Sequence, residues 1–178
     1  MSKHIAFLRA INVGGHTVKM DALRQLFESL GFSNVETFIA SGNVIFEAKA
    51  GNVKTLEKKI ETCLKESLGY EVATFIRTDA EVVEIAKYKP FPQSQLDMAN
   101  ALNIGFLADP LNDLAIQKLM SLQTEIDDFH IHGREIYWLC KKKQSDSKIS
   151  NVAIEKALGV KSTLRGVNTV KKLAEKYE

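Results

Sequence analysis

The sequence predicts an α+β protein: a ferredoxin-like βαββαβ N-terminal half, then a second βαββα half with C-terminal helices. Three observations carry this prediction. Apolar residues switch repeatedly between strand-like runs and helical three-and-four spacing. Glycine, asparagine and proline punctuate each switch. The β-α-β-β-α order that opens the first half then recurs in the second half, without recurrence of residue identity.

Residues 3–8 read as a first strand, mostly apolar and therefore central. The loop from Arg9 through Asn12, Gly14 and Gly15 to His16 follows. Leu23, Leu26, Phe27 and Leu30 then mark a helix face, with Asp21 near its start and Gly31 at its end. Residues 35–39 form a second strand, Ser41-Gly42-Asn43 a turn, and residues 44–46 begin the returning strand. Asn52 caps a helix whose stripe is Val53, Leu56, Ile60, Cys63, Leu64 and Leu68, ended by Gly69. Residues 72–77 are the fourth strand. Right-handed crossovers place the third strand between the first and second. The first and second strands then run the same way, which brings loop 9–16 and turn 41–43 to one sheet edge, with Arg77 leaving at the opposite one.

Thr78-Asp79-Ala80-Glu81 is a capping box opening a short helix. Pro90-Phe91-Pro92 interrupts regular structure, and a polar stretch follows. This places an N-terminal subdomain at 1–89, a linker at 90–100 and a second α+β subdomain at 101–178. The second subdomain opens with a strand at 101–107. A helix starts at Asp109-Pro110. Phe129 and Ile131, then Ile136, Trp138 and Cys140, alternate across Gly133-Arg134 as a hairpin. Ser147 is the expected cap of a helix ending at Gly159. Asn168 is the expected cap of the last helix, with face Val170, Leu173, Ala174 and Tyr177.

The chain has 178 residues, 45% of them hydrophobic, enough for one sizeable core or two small ones. Net charge is +2, but unevenly spread. From Lys141 onward ten Lys or Arg stand against four Asp or Glu, which leaves 14 basic and 18 acidic groups for residues 1–140. A basic tail region can attract phosphates, but an ordinary solvated helical surface is the favoured reading. Two cysteines, Cys63 and Cys140, are too few for a disulfide framework and read as buried reduced thiols. No leader and no run of about 18 apolar residues is visible, so the expectation is a cytoplasmic protein without membrane contact.

The candidate site is the sheet edge. Successive glycines let backbone N–H groups converge on an anion, Arg9 supplies a bidentate cation, and Asn12 orients. Neither G-x-x-x-x-G-K-[ST] nor G-x-G-x-x-G spacing is present, so this is no known phosphate loop. The plain alternative is a tight strand-to-helix turn. Ser41, Gly42 and Asn43 adjoin it. Ser41 as a nucleophile requires His16 as base, with no carboxylate fixed to orient it. Lys148, Arg165, Asn168 and Thr169 precede C-terminal helices and would contribute if that region folds over the edge; capping alone explains Ser147 and Asn168 and is the favoured reading of them. His130 and His132 share one strand face without a third metal ligand, so surface histidines are expected and no metal. No cofactor is identified.

These pieces in order resemble the bacterial family known as domain of unknown function 1697 (DUF1697). The matching residues include 8–15, Met20, Leu23-Arg24, Gly31-Phe32, Ser41-Gly42-Asn43-Val44, Arg77-Thr78 and Pro90-Phe91-Pro92. Further on they include Ser147-Lys148, residues 156–159, Thr163, Arg165, Asn168-Thr169-Val170 and Lys172-Leu173. The resemblance implies an α+β protein of ferredoxin-like character and supplies no activity. The family's C-terminal run usually reads Arg-Asn-Trp-Asn-Thr; Gly166 and Val167 depart from it here. The functional expectation is a protein that binds a phosphate- or carboxylate-bearing ligand at the 9–16 and 41–43 edge. The rivals are an enzyme on a small anionic substrate and a nucleic-acid or protein-interaction module. Against nucleic acid stand the modest charge and the lack of evident exposed aromatic pairs.

Overall fold

The computed structural model describes all residues except Val13, Gly14, His16, Ala40, Ser41 and Ala50. Its internal contacts divide the chain into two units, Met1–Val83 with Leu173–Glu178, and Glu84–Lys172.

The first unit runs β1 (Ser2–Leu8), α1 (Met20–Ser29), β2 (Ser33–Thr37), β3 (Asn43–Ala48), α2 (Val53–Leu68) and β4 (Thr74–Thr78). The sheet order is β2-β3-β1-β4, all neighbours antiparallel. β3 therefore lies between β1 and β2, as the crossover argument requires. From His4 onward β1 is buried on both faces, which explains its unbroken apolar run. Leu23 and Phe27 of α1 and Ile60 and Leu64 of α2 pack with Ala6, Leu8, Phe46 and Ile76 in the core. The Asn52 side chain accepts from Lys54 N, and Gly69 ends α2 at φ 84°.

β4 is an edge strand whose outward N–H groups need partners. α2 supplies them. Glu57 accepts from Ile76 N at 2.9 Å and Glu61 from Thr74 N at 3.1 Å. Four residues of helix rise about 6 Å and two residues of strand about 6.6 Å, so the two ladders match. The predicted capping box is present: Thr78 N donates to Glu81, and Glu81 N to Thr78 Oγ1. It opens α3 (Asp79–Lys87), which continues into the second unit. The C-terminal residues add to the first unit through a Lys176–Glu36 ion pair and Lys3 over the Tyr177 ring.

The second unit contains α4 (Gln93–Met98), β5 (Ala101–Phe106), α5 (Asp113–Met120), β6 (Asp127–His132), β7 (Glu135–Cys140), α6 (Asn151–Leu158) and β8 (Thr163–Gly166). α7 (Val167–Glu175) follows directly and ends in the first unit. The sheet order is β6-β7-β5-β8, the same topology as the first. The second half is thus a full βαββαβ. Its last strand was not foreseen because Thr163–Gly166 has only four residues and no alternating apolar pattern; its register against β5, from Phe106↔Thr163 to Asn103↔Gly166, makes it a strand. Here the preceding helix fixes the residue just before the edge strand: Asn151 and Glu155, four apart on α6, bond Ser162.

Several local expectations change. The stretch read as a linker, 90–100, holds α4, and Phe91 is buried. Asn112, not Asp109-Pro110, starts α5, accepting from Ala115 N. Ser150 caps α6 in place of Ser147. Ser147 instead donates to the buried Asp127 carboxylate, which also accepts from Trp138 Nε1 and Thr124 Oγ1. Asn168 lies inside α7 and is not its cap, because β8 runs into the helix without a break.

Candidate functional site

β1 and β2 both deliver their C-terminal ends to the sheet edge that carries Arg9, Asn12, Gly42 and Asn43. Phe7 pairs with Asn43, and Leu8 N donates to Gly42 O at 2.8 Å, so the two loops are joined. Gly14, His16 and Ser41 lie outside the described residues, and with them the Ser41–His16 pairing. The described residues show a pinned loop. Arg9 N donates to Ala73 O, Tyr70 Oη donates to Ile11 O at 2.7 Å, and Val18 N donates to Asn12 Oδ1 at 2.7 Å. Asn43 Nδ2 donates to Phe38 O across its own turn. Asn12 and Asn43 therefore shape the edge through backbone bonds, while the half-buried Arg9 stands at its root.

This edge also concentrates backbone strain. Ala10 at φ 55° and Ile39 at φ 63° occupy the left-handed region without being glycine. For a β-branched residue that conformation is a clear outlier, costing about 1–3 kcal/mol. Ile39 is 52% exposed, so burial gives little return for the strain. Neither feature was legible in the sequence, because φ at these positions is dictated by the pinned loops and not by residue type.

The C-terminal candidates belong to the second unit. Asn168 and Thr169 line a cavity of about 530 Å³ together with Lys87, Lys89 and Lys171. Arg165 is engaged within its own strand, donating to Thr163 Oγ1 at 2.7 Å and Leu164 O at 2.8 Å. Burial lowers its guanidinium pKa to about 10. Lys148 is exposed beside Ser147.

His132 is exposed, as expected of a surface histidine, whereas His130 is half-buried, and both rings lie against Tyr88. Tyr88 stacks on His132 at 3.9 Å, and its hydroxyl lies 2.6 Å from His130 Nε2. Burial, with the neighbouring His132, holds His130 below its ordinary pKa. Cys140 is buried and its thiol is pushed up by that burial, whereas Cys63 is only half-buried; both are free thiols. Among the described residues no group of three His, Cys, Asp or Glu side chains is placed to hold a metal ion. Among them, too, no helix is long and apolar enough to cross a membrane.

No curated protein matches the chain. Among solved structures it is similar to one described as "The structure of conserved bacterial protein SP0830 from Streptococcus pneumoniae". The TM-score is 0.80 at 22% identity, over 99% of this chain and 98% of that one, and the likeness is one of fold. The profile of the family described as "Protein of unknown function (DUF1697)" matches residues 1–137, and with the ferredoxin-like topology of the first unit this places the chain in that family.

Proposed function

We propose that the protein binds a phosphate- or carboxylate-bearing small ligand at the first unit's two-loop edge. The observation that carries the reading is the paired strain: two non-glycine residues, Ala10 and Ile39, held left-handed in two loops that Leu8 N and Gly42 O join. Strain of this kind persists where the surroundings over-determine the backbone, and it gathers at ligand clamps. Arg9 supplies the cation for the anionic group, the Gly15 N–H (φ 84°) adds a donor, and exposed Ile39 offers an apolar contact to the ligand body. A cytoplasmic, bacterial setting accords with this reading and with the family.

The test compares wild type, Arg9→Lys and Arg9→Ala by native mass spectrometry of the protein as purified, followed by release and identification of any small molecule. The expected result is an anionic species retained by wild type, weakened in Arg9→Lys because bidentate geometry is lost, and absent from Arg9→Ala. Equal retention in all three removes Arg9 and the edge from the account. A nucleic-acid ligand would instead show binding that falls steeply with salt.

A further inference from the structure

The second unit's cavity is a separate feature. Its volume of about 530 Å³ is that of a small-molecule site. Three lysines line it, Lys87 and Lys89 from the end of α3 and the residues after it, Lys171 from α7, and no Asp or Glu does. Three like charges around one concavity raise the local potential and draw counter-ions into it. Such a cluster without carboxylates contrasts with lysines such as Lys65 and Lys176, which pair with Glu71 and Glu36.

The rest of the lining divides into donors and apolar surface. Asn100, Asn168 and Thr169 offer side-chain hydrogen bonds; Pro90, Leu96 and Leu102 offer an apolar wall. Gly166 also lines the cavity. Its φ is ordinary, and a Cβ built there would meet nothing within 4 Å. No packing or backbone requirement therefore explains glycine at this position; its effect is to keep the cavity open.

We infer that this cavity is a second binding site, for a small organic phosphate whose anionic end lies among Lys87, Lys89 and Lys171 and whose body lies along Pro90 and Leu96. It uses residues of Glu84–Lys172 alone and does not depend on the first unit's edge.

The experiment is titration calorimetry of the full chain with phenyl phosphate, with benzoate and phenol as comparison ligands. Wild type is expected to bind phenyl phosphate at least about tenfold more tightly than benzoate, since a dianion engages more than one lysine, and not to bind phenol measurably. Lys87→Gln/Lys171→Gln is expected to weaken the phosphate by about tenfold or more. Gly166→Phe, which fills the cavity without touching a charge, is expected to abolish that component. Circular dichroism confirms that each variant is folded. Unchanged phenyl phosphate binding in folded Gly166→Phe overturns the inference, as does equal affinity for phenol. A binding component that survives Gly166→Phe and disappears in Arg9→Ala belongs to the edge and not to the cavity, so the two readings fail separately.

Discussion

Ile39 is the residue whose cost is most visible. It combines a left-handed backbone with an exposed apolar side chain, so a residue that tolerates that conformation should be more stable there. Ile39→Asn is expected to raise the unfolding free energy by about 1 kcal/mol in urea melts, and to weaken ligand binding at the edge. A loss of stability would show that Ile39 earns its place by packing. His4 is the second case. It is 3% exposed, stacks on Phe46 at 5.4 Å, and its Nδ1 has no hydrogen-bond partner. Burial lowers its pKa below the ordinary 6.5, against smaller opposing effects from the Ser2 backbone, Asp79 and Glu81. The native state thus binds fewer protons than the unfolded chain below that pH. The associated stability is present above 6.5 and is lost as pH falls through the lowered pKa. His130 acts in the same direction. Thermal melts from pH 8 to 5 should show an acid decline that His4→Phe makes shallower; an identical decline in the variant would assign the effect elsewhere.

At the scale of elements, the edge strand β4 is held by the helix that precedes it. Ile76 N has a buried carboxylate, Glu57, as its acceptor. Glu57→Ala leaves that donor unpaired and should cost roughly 1–3 kcal/mol. Glu57→Gln keeps an acceptor oxygen and should recover much of the loss. Equal losses in both variants would mean that the carboxylate's charge matters more than the bond. What was legible in the sequence follows from the same physics. The α2 stripe, its Asn52 cap and Gly69 stop, the Thr78–Glu81 capping box and the Gly133-Arg134 hairpin turn are local signals, and local signals were enough. Helix starts at Asn112 and Ser150 were misplaced because Pro110 and Ser147 look like starts too, and only tertiary bonds distinguish them; Ser147 is taken by Asp127. β8 is specified by its neighbour β5 and not by its own four residues.

Over the whole chain the same four-strand order appears twice, with polar side chains four apart on α2 bonding β4 and four apart on α6 bonding Ser162, the residue before β8. The repeat of element order was readable from periodicity; the repeat of this bonding device was not, since Glu57/Glu61 and Asn151/Glu155 differ in chemistry. The adjacency of Gly42 to the end of β1 followed from topology alone, because a right-handed crossover leaves one place for the third strand. The lysine-lined cavity did not follow, because Lys171 is far in sequence from Lys87 and Lys89, and each reads singly as a solvated charge. The central claim is that the joined, strained edge holds an anion. An amide-resolved NMR titration of the full chain with inorganic phosphate, at constant ionic strength, tests it directly. The predicted result is saturable shifts at the amides of Arg9, Asn12, Gly15, Gly42 and Asn43, abolished in Arg9→Ala. Amides at this edge that stay unmoved while phosphate saturates another site, or while the whole spectrum stays unchanged, would contradict it.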